Sequence, residues 1–256
     1  MEPHFDLVNR FSLAHQEPMK TDEHQTAERL RRQQDLLAEF GSKALYSRDL
    51  DDLLNRASEL VAQGLDIKRA KVLELLPDGK ELLLRAGVNW NPGVVGEVRF
   101  GAGMESPAGF ALHCVEPVVS PDLDAETRFD IPKVLTEHGI KSMMNVIIEG
   151  QETPFGVLEV DATQKREFDE HDISFLKNYA NLLAAAVERH RSHDQLKKAI
   201  DDQSVLIQEL ELRVKNMLGL VQSLANQTAA EDPAAQVFRD IFLGRLRALA
   251  QAENRF

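Results

Sequence analysis

One cysteine, Cys114, stands in a chain of 256 residues. That excludes an intrachain disulfide framework and suits a reducing cytoplasm. Basic residues form no stripe or cluster: 30 Lys and Arg are scattered among 42 Asp and Glu, and the formal net charge is -12. A chain of that balance has no general affinity for nucleic acid. Apolar runs are short. The longest, "NLLAAAVE", ends in charge and falls far below the ~20 residues of a membrane-spanning helix. The opening "MEPHFDLVNRF" lacks the basic start and apolar block of a secretory signal. A cytoplasmic protein is expected, without nucleic-acid or membrane partners. There is no GxxxxGK[ST] loop for a nucleotide. Proline and glycine are missing between Gly156 and Gly219, which leaves room for one very long helix.

What is present is enough apolar residue, 43%, for one sizeable core and a second, smaller element. Residues 1–21 are polar and irregular, with Pro3 and Pro18, and read as a flexible N-terminal segment. Two amphipathic helices follow. Leu30, Leu37 and Phe40 share a face of the first, with Gly41 as its end or a kink. Leu50, Leu53, Leu54, Ala57, Leu60 and Val61 form the stripe of the second, with Gly64 near its end. Strand patterns then begin. "KRAKVLELL" and "ELLLRAGV" flank "PDGK", a turn with glycine where positive φ is tolerated. "GVVGEVRF" is a third strand, "PVVSPDL" a short fourth, and "KSMMNVIIEG" and "TPFGVLEVDA" two more. Ser106-Pro107 opens a short helix, and "DIPKVLTEHGI" is a helical turn stopped by Gly139. Asp169 can cap the next helix, with Phe168 as a staple. The order implies an α+β domain with an antiparallel sheet flanked by helices.

That last helix is expected to run through the isolated Gly219 to about Ala229. Leu196, Ile200, Gln203, Ile207, Leu210, Val214, Met217, Val221 and Leu224 are spaced by alternating fours and threes, a heptad seam with one polar interruption. Leu206, Leu218 and Leu220 widen it, which suits a four-helix bundle. Asp232-Pro233 starts a final helix with Phe238, Ile241, Phe242, Leu246 and Leu249 on one face. One helical hairpin buries too little alone, so a homodimer is expected. In this register Leu212 takes the position farthest from the seam, where a leucine has no packing reason.

The stretch "LIQELELRVKNMLGLVQSLANQTA" resembles the first hairpin helix of an HWE-type bacterial sensor histidine kinase. Glu209, Leu210, Arg213, Val214, Lys215, Asn216, Val221, Gln222 and Ser223 match its motif, and "FLGRLRALAQAENRF" resembles the start of the second helix. The resemblance puts the family's phosphoacceptor histidine at Leu212, which cannot carry phosphate. It also implies an ATP-binding domain after Phe256, so ATP is expected only for an intact family member. Truncation and natural loss of that domain remain open, as do engineered and natural origins for Leu212. By the same resemblance, Glu209, Arg213, Lys215 and Asn216 would meet the receiver domain of a response regulator, and Asn216 would have a phosphatase role.

"EPVVSPDLDAETRFDIPKVLTEHGIKSMMNVII" and "FGVLEVDATQKREFDEHDISFLKNYANLLAAAVER" are similar to the later part of a GAF domain. The resemblance implies a small-molecule pocket between the sheet and the helices near 105–114 and 131–138, its ligand unknown. By position, Phe110, Phe129, His138 and Met144 are the candidate pocket residues, each also readable as core packing. His113-Cys114 reverses the order of a covalent bilin site, so Cys114 is read as buried in a core helix. The histidines show no metal-ligand spacing beyond His190 and His193 on a polar face, and no metal is expected. The implied organisation is a flexible segment over 1–21, a GAF sensor domain with its leading helix over 22–190, a coiled-coil signalling helix over 191–208 and a phosphotransfer-like hairpin over 209–256. The whole reads as a two-component sensor that does not autophosphorylate. A regulator-binding scaffold, a phosphatase and a simple GAF dimerisation module are the alternatives.

Overall fold

Nearly continuous burial marks the three central strands and alternation the three outer ones, and a computed structural model shows how they assemble; it describes residues 17–227 and 233–253. The chain divides into two units, residues 1–191 and 192–256. In the first, α1 (Glu17–Tyr46) and α2 (Leu50–Gly64) precede β1 (Arg69–Leu75), β2 (Glu81–Val88) and β3 (Arg99–Gly101). Then come α3 (Pro107–Cys114), β4 (Val118–Ser120), α4 (Lys133–Glu137), β5 (Ser142–Ile148) and β6 (Gly156–Ala162). The six strands form one sheet in the order β3-β2-β1-β6-β5-β4, antiparallel at every pairing.

Local chemistry sets the joints. Gly79 takes φ 68° between β1 and β2, and Asp78 accepts from the N–H of Lys80. Ser106 caps α3 through the N–H of Gly109 at 3.0 Å, with Pro107 in the first turn. Asp49 caps α2 through the N–H groups of Asp51 and Asp52.

Both faces of the sheet are covered. On one, α1, α2 and the start of α5 (Glu170–Gln227) bury Phe40, Leu54, Leu60, Val72, Met144, Leu158, Phe175 and Tyr179 in one core. On the other, α3, α4 and neighbouring loops cover Leu73, Leu82, Leu84, Phe100, Met143 and Val157. A bulge between Val72 and Leu73 of β1 puts Arg85 of β2 out of step. Leu82 and Leu84 therefore face the second core and Ala86 the first. α1 and α5 run parallel within this unit. Arg29 meets Asp169 at 2.5 Å, the rings of Phe40 and Tyr179 lie 4.6 Å apart, and Arg189 donates to the carbonyl of Leu45 at 2.7 Å.

Several expectations change. Helix α1 already begins at Glu17, so the irregular segment does not extend to residue 21; residues 1–16 lie outside the described residues. Pro18 sits in the first turn, where no intrahelical N–H bond is lost. The helix passes through Gly41 without ending. The third strand is only three residues long, because Gly93 and Gly96 take φ 81° and 84° and turn the chain before it. Cys114 is exposed at the end of α3, not buried in a core. The second unit holds the rest of α5, which passes through Gly219, and α6 (Pro233–Glu253). The expected cap Asp232 and the side chain of Leu249 lie outside the described residues.

Candidate functional site

Two places carry chemistry. The first lies on α5. Leu212 is 59% exposed, and Glu209, Arg213, Lys215 and Asn216 beside it are exposed too. Residues three and four apart share a helix face, which groups Glu209, Leu212, Arg213 and Asn216. Arg213 donates through Nε to Glu209 Oε1 at 3.1 Å. This exposed ion pair is worth only about 0.3–0.5 kcal/mol. The heptad residues Leu196, Ile200, Ile207, Leu210, Met217 and Leu224 are exposed in the single chain.

The second is the face of the sheet beneath α3 and α4. The rings of Phe110 and Phe129 meet at 5.6 Å, and the Arg128 guanidinium lies 5.8 and 5.3 Å from them. Glu126 holds Arg128 in a bidentate pair. Arg128 pulls the Glu126 carboxyl down to about 2 against its burial, with Ser120 and two backbone N–H groups assisting. His138 packs edge-on against Trp90 at 4.9 Å. Its Nδ1 faces the carbonyl of Val134 at 2.8 Å and its Nε2 accepts from the N–H of Asn91, an arrangement that assigns the ring proton to Nδ1.

Three of the four candidate pocket residues thus share this side, and Met144 does not. It is fully buried in the core on the opposite face. Successive strand residues point to opposite faces, so its neighbour Met143 belongs to the same core as Phe129.

Sequence reasoning missed the polar centre of this face. Lys71 of β1 and Glu159 and Asp161 of β6 are buried together. Lys71 Nζ donates to Glu159 and, at 2.7 Å, to Asp161 Oδ2, and lies 4.6 Å from the centre of the Trp90 ring. Asn145 of β5 stands directly across from Glu159, which stands across from Lys71. Burial pushes the Glu159 carboxyl up, and Asp161 adds to the effect while Lys71 opposes it. The available signal was a polar residue at every second place in "RAKV" (Arg69, Lys71) and "LEVDA" (Glu159, Asp161). That pattern reads as a solvent face unless both sides of the sheet are covered. Among the described residues, no group of three or more His, Cys, Asp and Glu is placed to hold a metal ion.

Comparison with known proteins places these features. The GAF domain profile matches residues 49–187, and the HWE histidine kinase profile matches residues 209–256. A blue-light-activated histidine kinase of Brucella anthropi is 41% identical over 58 residues, covering 23% of this chain and 12% of the relative. The chain therefore corresponds to a small part of that relative's length. Among solved structures, the GAF domain of a phosphoenolpyruvate-protein phosphotransferase from Acinetobacter is 23% identical, with a TM-score of 0.55, over 64% of this chain and 97% of that one. The corresponding domain from Coxiella burnetii is 19% identical, with a TM-score of 0.59, over 65% and 98%. A free methionine-R-sulfoxide reductase from Neisseria meningitidis, solved with its substrate, is 20% identical, with a TM-score of 0.55, over 63% and 91%. At these identities the likeness concerns the fold alone. No described helix is long and apolar enough to cross a membrane.

Proposed function

The chain belongs to the GAF domain family and is built as a sensor histidine kinase-type signalling protein, and we propose that its GAF domain controls a dimeric, phosphotransfer-like bundle that does not autophosphorylate at position 212. The observation that carries this reading is Leu212 itself. An exposed leucine occupies the outward position of the seam, inside the matching run of Arg213, Val214, Lys215 and Asn216. Phosphotransfer needs an imidazole nitrogen projecting from the bundle, first toward ATP and then toward an aspartate of a receiver domain. A hydrocarbon side chain supplies no nucleophile.

The dimer is supported by the exposed seam, since apolar side chains at heptad spacing are stabilised by a second helix pair. The receiver domain is the expected partner for Glu209, Arg213, Lys215 and Asn216, with charge steering the encounter. A small ligand would lie against Phe110, Phe129 and His138. Its arrival would bias α5, a two-state element shared by both units. The reading places the protein in the cytoplasm.

The test is Leu212→His, with a kinase ATP-binding domain fused or supplied in trans and labelled ATP as donor. Label that appears only with histidine supports a bundle built for phosphotransfer and blocked at one residue. A dimer that stays unlabelled overturns that reading in favour of a scaffold or a simple dimerisation module. The exposed Asn216, one turn beyond Leu212, favours one second reading, dephosphorylation of a regulator. Asn216→Ala would then abolish dephosphorylation while binding persists.

A further inference from the structure

Lys71 is surrounded by more acceptors than a buried lysine requires. Its Nζ is completely buried and donates to two carboxyl groups, those of Glu159 and Asp161. Its remaining direction is taken by the face of Trp90, 4.6 Å away, with Phe100 at 6.0 Å. An ammonium group has three N–H donors, and two carboxyl groups and an aromatic face account for all three. Acceptors remain even so. Asp161 Oδ1 and Asn145 Oδ1 are buried without a hydrogen-bond partner. Asn145 shares the row of Glu159 and Lys71 across β5, β6 and β1, and directly opposed residues share a face. The roof is accommodated by design of the strand: Gly87, opposite Lys71, leaves the space of Trp90, whose Cδ1 would lie 2.7 Å from a Cβ there. One counter-ion would suffice to bury a lysine. Two acids, an amide and an indole face make a receptor for a cation with several N–H groups.

We infer that Lys71, Glu159, Asp161, Asn145 and Trp90 form a primary-ammonium-binding site that the chain fills with its own lysine side chain. The ligand class is a primary alkylammonium, and the resident ligand is tethered through the backbone of β1. The inference rests on the first unit alone and stands or falls independently of any phosphotransfer by the second.

Trp90 is the only tryptophan, so its emission reports this site without labelling. Lys71→Ala in the full chain removes the atoms of propylamine. The probe is propylammonium chloride, with 1-propanol and tetramethylammonium chloride as controls. In Lys71→Ala, propylammonium is expected to return Trp90 emission to that of the wild type. Half-saturation is expected at roughly 1–10 mM, and the response to either control should be at least about tenfold weaker, since neither offers a charged N–H donor. Adding Asp161→Asn should abolish the response. If Lys71→Ala does not fold alone, the yield of refolded chain with each additive gives the same comparison. An equal response to propanol would mean a plain apolar cavity and overturn the assignment. So would no response in a folded variant. A saturable response of the wild type would overturn self-filling, because the site would then exchange its lysine for free ligand.

Discussion

Glu170–Arg191 and Ser192–Gln227 belong to one helix and follow different rules. The first stretch buries Asp172, Phe175, Leu176, Tyr179, Ala180, Leu183, Ala186, Val187 and His190. The second has no buried residue, and its apolar seam is exposed. Where the chain's own sheet and helices supply the partner, the apolar positions form a broad stripe. Where they do not, the spacing narrows to alternating threes and fours, as expected for pairing with another helix. The lesson is that one stretch is stabilised within a chain and the other is expected to depend on protein concentration.

Matched truncations should separate the two stretches most clearly. Leu183→Ala opens a cavity in the first core and should cost about 2–5 kcal/mol, read as a lower denaturant midpoint at any protein concentration. Leu210→Ala should leave that midpoint unchanged and weaken the proposed dimer, read by sedimentation at several concentrations. An equal loss in both variants, independent of concentration, would remove the distinction.

A smaller effect sharpens it at the helix start. Asp169 accepts from the N–H of Asp172 at 2.8 Å and pairs with Arg29 at 2.5 Å. Burial works against its ionised form, yet Arg29 and the N–H groups of Asp172 and His171 hold the carboxyl below its ordinary value. A lowered folded-state value means the contribution is present above the unfolded value and is lost as pH falls through the folded one. Stability should therefore decline below about pH 3.9. Asp169→Ala should cost about 0.5–2 kcal/mol at neutral pH and flatten the acid decline. A decline unchanged in the variant would assign it to other carboxylates.

The smallest effect belongs to the exposed stretch. Arg213→Ala breaks the pair with Glu209, and thermal unfolding should move by no more than about 0.5 kcal/mol. If a receiver domain docks on this face as proposed, its binding should weaken by more than that, since the same charge would steer it. A receiver affinity insensitive to Arg213→Ala and to added salt would remove this face from the interaction.

The legible part of the molecule was the part written in local patterns. The caps at Ser106 and Asp169, the turn at Gly79, the strands of β5 and β6 and the unbroken helix through Gly219 follow from residues a few places apart. Met144 and Cys114 show where such reading stops. Strand alternation says that Met143 and Met144 face opposite ways, but not which face meets α3. Helical pattern places Cys114 on α3, but not at the end left uncovered. Of the candidate pocket, Phe110 and Phe129 were brought together by α3 and the loop after β4, a contact that no short-range signal encodes.

Spacing along a single strand or helix was enough to set the order of the elements, the heptad seam and the place of the leucine at position 212. That Lys71, Glu159 and Asp161 lie in the interior depended instead on how the layers pack. Their alternation is that of a solvent face, and it took a second layer, α3 and α4 over β1 and β6, to turn three ionisable side chains into one buried, hydrogen-bonded cluster.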